Sequence, residues 1–272
     1  MSAEEAAHPI IVRAPHGCHR ARGMVAGIGT FALVERQKIR RDRTQLVSRM
    51  VPPMLWLLIF GTTFSRVHAI DTGSVSYLDY LVPGIIAQSA LFISSFYGIQ
   101  VIWDRDAGML AKLMATPTPA SALVTGKVSA AGARAVPQAA AVLVLAYLIG
   151  VHLTMNPLRL LAAIVIVVLG AAFFACLSMT LAGLLRSRDR LMGINQIITM
   201  PLFFASNTLY PVQAMPAWLR GLSTVNPLSY EADALRTLLI GTRFNPLDIA
   251  VLVIAAVLGI SAASALLRRL VR

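Results

Sequence analysis

Few residues in this sequence have the types and spacing that chemistry requires. A phosphate-cradling loop needs Gly-x-x-x-x-Gly-Lys-[Ser/Thr]. The nearest match, Gly126-Lys127-Val128, lacks both the upstream glycine and the hydroxyl, so the chain has no P-loop with which to hydrolyse ATP. Neither His-Glu-x-x-His nor Gly-x-Ser-x-Gly occurs. His8, His16, His19 and Cys18 crowd the N-terminal tail, but no element fixes their spacing, and a mobile tail is expected there rather than a metal centre. Cys18 lies in that polar tail and Cys176 in an apolar run, which is no disulfide framework. No catalytic, cofactor-binding or metal-ligating residue is therefore assigned. What remains is a charged triplet, Asp104-Arg105-Asp106, a segment from 210 to 241 broken by Pro211, Pro216, Gly221 and Pro227, and isolated polar residues within apolar sequence, chiefly Gln88, Asn195 and Asn207. Such residues line transport paths or join helices. No Asp/Glu/His relay accompanies them, which argues against a proton- or sodium-driven carrier.

The elements that must hold these residues are membrane helices. Of the 272 residues 57% are hydrophobic and 13% charged, roughly half the charge of a soluble domain. Mean hydropathy is +0.72. A fold of this size hides only about three quarters of its surface, so a soluble enzyme, a disordered regulator and a free nucleic-acid binder are excluded. A bilayer core of about 30 Å takes about 20 apolar residues as a helix. Six segments qualify: 46–65, 81–103, 128–151, 158–185, 191–210 and 247–267. In lipid each must satisfy its backbone internally, so an all-α membrane protein of six transmembrane helices is expected. The N-terminus has no positive region leading into an apolar core, so no cleavable signal peptide is expected.

Charge sets the orientation. With the N-terminus in the cytoplasm, the far side carries Arg66, Arg159, Arg220, Arg236 and Arg243. Arg134 falls in the third span, and the rest of the 24 Lys and Arg lie inside. This bias predicts cytoplasmic termini. Residues 1–22 read as a flexible cytoplasmic tail and 23–272 as one transmembrane domain. The stretch from Gly23 to Met50 turns from apolar to basic, as an interfacial helix does. In the cytoplasmic connector, Met109, Leu110, Leu113 and Met114 recur at helical spacing until Pro117 and Pro119, and form a stripe suited to a partner's groove or to the bilayer surface.

The 210–241 segment lies outside yet is apolar enough to enter the membrane. Pro216-Ala-Trp-Leu-Arg-Gly-Leu reads as a short interfacial helix with Trp218 at headgroup level. Asn226 is placed to cap a second helix, and Pro227 suits its first position. Glu231 and Asp233 favour that helix's positive end, and Arg236 can pair with Asp233 three residues before it. Two short helices at membrane depth make a re-entrant hairpin between spans five and six, tolerated where protein or water surrounds it.

Four motifs in order resemble one family: Tyr80-Leu-Val-Pro-Gly-Ile-Ile-Ala-Gln; Asp104-Arg-Asp-Ala-Gly-Met-Leu, followed by Ala115-Thr-Pro and Gly126-Lys; Tyr210-Pro-Val-Gln-Ala-Met-Pro-Ala-Trp-Leu; and Asn226-Pro-Leu-Ser-Tyr with Ala234-Leu-Arg. On a six-span frame they look like the type-2 ABC transporter permeases, nearest the daunorubicin-resistance branch. The resemblance spans about 25–267. It departs at Asp106, where Glu is commoner, and at Ala111, where many relatives carry a polar residue. It implies a plasma-membrane (inner-membrane) subunit that pairs with itself or a second permease, contacts membrane lipids and no nucleic acid, and recruits an ATPase subunit on which ATP and Mg bind; the chain itself binds no cofactor. It further implies that Asp104, Arg105, Asp106, Gly108, Met109 and Leu113 couple to the ATPase, and that Pro211, Pro216, Trp218, Asn226, Pro227 and Arg236 form the exterior gate. Gln88, Asn195 and Asn207 are candidates for the pathway or the dimer interface. The expected cargo is a hydrophobic or amphiphilic substrate such as a drug or antibiotic, conferring resistance by efflux. Export of lipid or polysaccharide, or secondary ion-coupled transport, are the alternatives.

Overall fold

The computed structural model describes residues 43–67, 72, 75–108, 120–154, 156–185, 187–242 and 244–271. The stretch from Gly23 to Asp42, the tail before it, and Met109 and Leu113 lie outside them, as do the expectations placed there. The described residues are helices joined by short turns, with no strand among them.

The first expected span is a helical rod: α1 (Arg43–Leu55), a π-helical stretch Trp56–Gly61, and α2 (Thr62–Val67). Its irregularity follows from Pro52 and Pro53 inside α1, which remove two backbone donors and crowd the preceding turn. Pro53 has no N–H for the Arg49 carbonyl; the Gln138 side-chain amide donates to that carbonyl instead, at 3.0 Å.

The second span is broken. Helix α3 (Tyr77–Ser95) and α4 (Tyr97–Asp106) meet at Phe96. Next come α5 (Ala120–Leu148), α6 (Pro157–Leu185), α7 (Arg188–Phe204), a 3-10 turn at Val212–Ala214, α8 (Ala217–Val225), α9 (Pro227–Ile240) and α10 (Pro246–Val271). Helix α6 is the hub, with α3, α4, α5, α9 and α10 packed on it. Small residues permit the close approach: a side chain at Gly132 would meet Val168, and one at Gly183 would meet Leu266. Apolar side chains also cover the outside, including Leu161 and Val165 of α6 and Ile254, Val257 and Leu258 of α10, as a lipid-facing surface requires.

Among the described residues, four helices are long and apolar enough to cross a membrane: Tyr77–Asp106, Leu123–Leu148, Pro157–Leu185 and Pro246–Leu266. The segments expected as spans one and five are helical but differ from this standard. The first carries Arg49 and the proline-induced distortion. The fifth stops at Phe204, short of the expected Tyr210, because Pro201 interrupts its last turn and the chain then runs irregularly to the 3-10 turn.

Candidate functional site: two polar clusters at the ends of a broken helix

The larger cluster gathers the first turns of α3, the irregular segment after α7, and α9. Asn226 builds the start of α9: its Oδ1 accepts from the Leu228 amide at 3.0 Å, Pro227 follows at the first helical position, and its Nδ2 donates to the Leu202 carbonyl of α7 at 2.6 Å. Gly241, at φ 74°, closes the other end in the left-handed conformation that glycine adopts without strain. One turn before that end, Arg236 is 3% exposed. Its guanidinium donates to the Asn207 carbonyl at 2.6 Å, the Tyr80 carbonyl at 3.3 Å and the Thr208 carbonyl at 3.4 Å, and it pairs with Asp233 at 2.9 Å. It also stacks 3.7 Å from the centre of the Tyr80 ring. Asn207 Nδ2 donates to the second Asp233 oxygen at 2.7 Å. The Tyr80 and Tyr77 hydroxyls donate to the Asn207 and Leu209 carbonyls at 3.0 and 3.1 Å. Gly84 completes the joint, because any side chain there would collide with the Thr208 backbone. A buried cation thus ties three non-consecutive chain segments, two of its acceptors being carbonyls of the irregular segment at Asn207 and Thr208.

The second cluster lies at the opposite end of α3–α4. Asp104 pairs with Lys127 of α5 at 2.5 Å. Asp106 takes Arg105 at 2.8 Å and Arg188, from the start of α7, at 3.1 Å; Arg188 also lies 5.6 Å from the centre of the Trp103 ring. Gly108 has φ 69° with open space around it, so the chain turns sharply out of α4 there. The connector's charged triplet is therefore clamped to the neighbouring helices α5 and α7.

Between the clusters, the Ser178 hydroxyl of α6 bridges the break at Phe96. It donates to the Ser95 carbonyl at 2.5 Å and accepts from the Gly98 amide at 3.1 Å. Asn195 donates to the same Ser95 carbonyl at 3.3 Å, so this residue acts as a helix joint. Gln88 is buried, and its Oε1 has no hydrogen-bond partner among the described residues.

Among the residues singled out in the sequence, Asn207, Asn226, Pro227 and Arg236 come together, as do Asp104, Arg105 and Asp106. Pro211 and Pro216 flank the 3-10 turn and α8, and Trp218 is 69% exposed on α8, outside the Arg236 cluster. The sequence reading missed Tyr77, Tyr80, Gly84, Ser178 and the clamp from Arg188. It also placed no acid in the apolar interior, whereas Glu231 is fully buried. The signal was present: Leu228, Glu231, Ala232, Leu235 and Leu239 share one helical face.

Relatives place this architecture. The family model described as ABC-2 type transporter matches residues 28–240. The chain is 27% identical to ycf38 of Cyanophora paradoxa over 76% of its length and 73% of that protein. It is 25% identical to the daunorubicin resistance ABC transporter permease protein DrrB1 of Streptomyces coeruleorubidus, over 73% of this chain and 69% of that one. With nodulation protein J of Rhizobium leguminosarum bv. viciae it shares 25% identity over 89% of its own length and 95% of the relative's. Apolar spans, a broken helix with a charged cluster at each end, and a match across most of the sequence agree: the chain belongs to the ABC-2 type transporter family, the transmembrane subunits of ABC transporters, which have no ATPase site of their own.

Proposed function

We propose that this permease subunit works as an exporter, moving a hydrophobic or amphiphilic cargo such as a drug out across the plasma membrane as one half of a paired permease. The observation that carries the reading is that α3–α4 holds both polar clusters, one at each end, with a serine-bridged break between them. In this reading the termini are cytoplasmic, and the Asp104–Asp106 end receives a separate ATPase subunit, on which ATP and Mg bind. Residues 191–210 and 46–65 complete six spans, and α8–α9 is the re-entrant hairpin that closes the exterior side through Arg236.

Closure of the ATPase subunits on ATP displaces the Asp104–Asp106 end. Asp106 passes that motion to α7 through Arg188, and α4 passes it to α3 across the Phe96 break. The far end of α3 carries Tyr77 and Tyr80, so its tilt strains the bonds that hold Asn207 and Arg236. Two discrete packings, one with the hairpin seated and one with it released, present the cargo differently to the two sides.

The name of DrrB1 supports a drug-like cargo, and the spans, which carry few charges, accord with an apolar or amphiphilic one. The test is the variant Arg105→Glu with Asp106→Lys, reconstituted with its ATPase. It inserts and folds, and loses ATP-driven transport. Undiminished transport, or transport by the chain alone under an ion gradient, refutes the reading. A screen for compounds that raise ATP turnover in the assembled complex separates drugs from lipids and glycans.

A further inference from the structure

Glu231 is a buried acid to which the exporter reading gives no work. It has no exposed surface, and among the described residues neither of its carboxyl oxygens has a hydrogen-bond partner. It lies in the apolar stripe of α9, beside Leu228, Ala232, Leu235 and Leu239, none of which has exposed surface. Across from it stands Gly170 of α6, and the carboxyl occupies the space a side chain at 170 would fill. A carboxylate denied both water and donors is too costly to keep, so the group holds a proton instead.

The charged and titratable groups on the elements around it are engaged elsewhere. On α9, Asp233 and Arg236 bond each other and the Asn207 segment, and the Tyr230 hydroxyl donates to the Thr224 carbonyl at 2.5 Å. On α3, Tyr77 and Tyr80 donate to backbone carbonyls and Asp79 accepts from the His152 amide at 3.1 Å. On α10, Asp248 accepts from Asn245 at 3.2 Å. On α6, Arg159 and Cys176 stand about 16 Å and about 9 Å from Gly170 along the helix axis. Burial, with no neighbouring charge contributing, pushes the Glu231 carboxyl well above the ordinary carboxylate range.

We propose that Glu231 is a proton-binding latch: the neutral carboxyl seated against Gly170 holds α9 on α6, and undocking of α9 releases that proton to water and leaves a solvated carboxylate. The inference deepens the gate reading of α8–α9 and rests on it for its role in transport. The sign follows from linkage. The seated form binds the proton more tightly than the solvated form, whose pKa is about 4.3. Docking is therefore fully supported below that value and loses its support as pH rises through the seated value. Between the two, the docked-to-undocked ratio falls about tenfold per pH unit.

The test uses the full chain in lipid nanodiscs with Cys18→Ser and spin labels at two exposed positions, Leu158→Cys and Val225→Cys. Distances are read by double electron–electron resonance from about pH 5 to about pH 9, spanning the window above the ordinary carboxylate pKa. The parent shows a longer-distance population that grows at least about tenfold with pH, in line with the linkage slope. Glu231→Gln, of the same shape, and Glu231→Met, uncharged and of similar reach, hold one distribution throughout. An unchanging distribution in the parent, or the same pH response in both variants, overturns the latch. No ATPase or cargo is needed. A pH-dependent distance in a complex that fails to transport sinks the exporter reading alone, and a pH-insensitive distance in one that transports sinks the latch alone.

Discussion

Arg236 is where single side chains decide the most. Its guanidinium bonds the Asn207 and Thr208 carbonyls, which no helix serves, and the Tyr80 carbonyl, and it is nearly sealed from solvent. Arg236→Met takes this donor from the Thr208 carbonyl, while the Asn207 carbonyl keeps the Tyr80 hydroxyl and Asp233 keeps the Asn207 amide. Asp233 is half-exposed, so the loss is that of the buried carbonyl's donor, about 1–3 kcal/mol, which thermal unfolding in nanodiscs will show as a fall in midpoint. Tyr80→Phe is the contrasting probe: it keeps the ring under the guanidinium and loses one hydroxyl bond to Asn207, for about 1 kcal/mol. If the two variants unfold together, the cation does not hold the joint. The Arg236–Asp233 pair was legible in the sequence because helical neighbours three apart must meet. The meeting of Arg236 with Tyr80 and Asn207 was not, because local periodicity says nothing of residues brought together from distant parts of the chain. Glu231 was misread for another reason. Its nearness to a helix start suggested a favourable dipole, while the apolar stripe that it interrupts marked it as buried.

Helices show a similar division. Apolar length placed the four long spans to within a few residues at most of their ends, because the bilayer sets the length of any helix that crosses it. Breaks were harder to read. The break at Phe96 has no proline or glycine run to announce it; it arises where the Ser178 hydroxyl of α6 supplies bonds that the α3–α4 backbone gives up. Gly98→Ala tests this joint. Its methyl group has no room against the Ser178 backbone, so α4 must shift from α6, at a cost of about 1–3 kcal/mol for overpacking. In the reconstituted complex, ATP turnover should persist while transport per ATP falls several-fold. Equal transport would show that the break plays no part in relaying motion. Gln138→Leu probes the rod α1 in the same spirit. It strips the part-buried Arg49 carbonyl of the side-chain donor that replaces the one missing at Pro53, and a lost hydrogen bond costs about 1 kcal/mol. Destabilisation should therefore appear in thermal unfolding. A neutral result would mean that water or lipid headgroups serve that carbonyl.

At the scale of the whole molecule, the two charged clusters differ in kind, and the difference bears on how force would travel. The Arg236 cluster is buried and bonded to backbone, and on the proposed gating its bonds hold together or release together. The Asp106 cluster is exposed and made of side chains only, with Asp106 shared between Arg105 and Arg188. Exposed pairs of that kind contribute little to stability. On the proposed coupling their value lies in directing motion, with Arg188 the link by which displacement of the Asp104–Asp106 end reaches α7 as well as α4. Arg188→Glu therefore separates stability from coupling. The thermal midpoint should barely move, because little stability resides in the pair. Binding of the ATPase subunit should remain if Asp104 and Arg105 are the contact, while cargo transport per ATP falls about tenfold or more, the equivalent of about 1.4 kcal/mol of lost coupling. Adding Asp106→Lys restores the attraction with its signs exchanged, and recovers part of that loss if the link is electrostatic. Should Arg188→Glu transport as well as the parent, α7 does not take its motion from the connector, and the α3–α4 rod alone must carry the signal to the Arg236 joint.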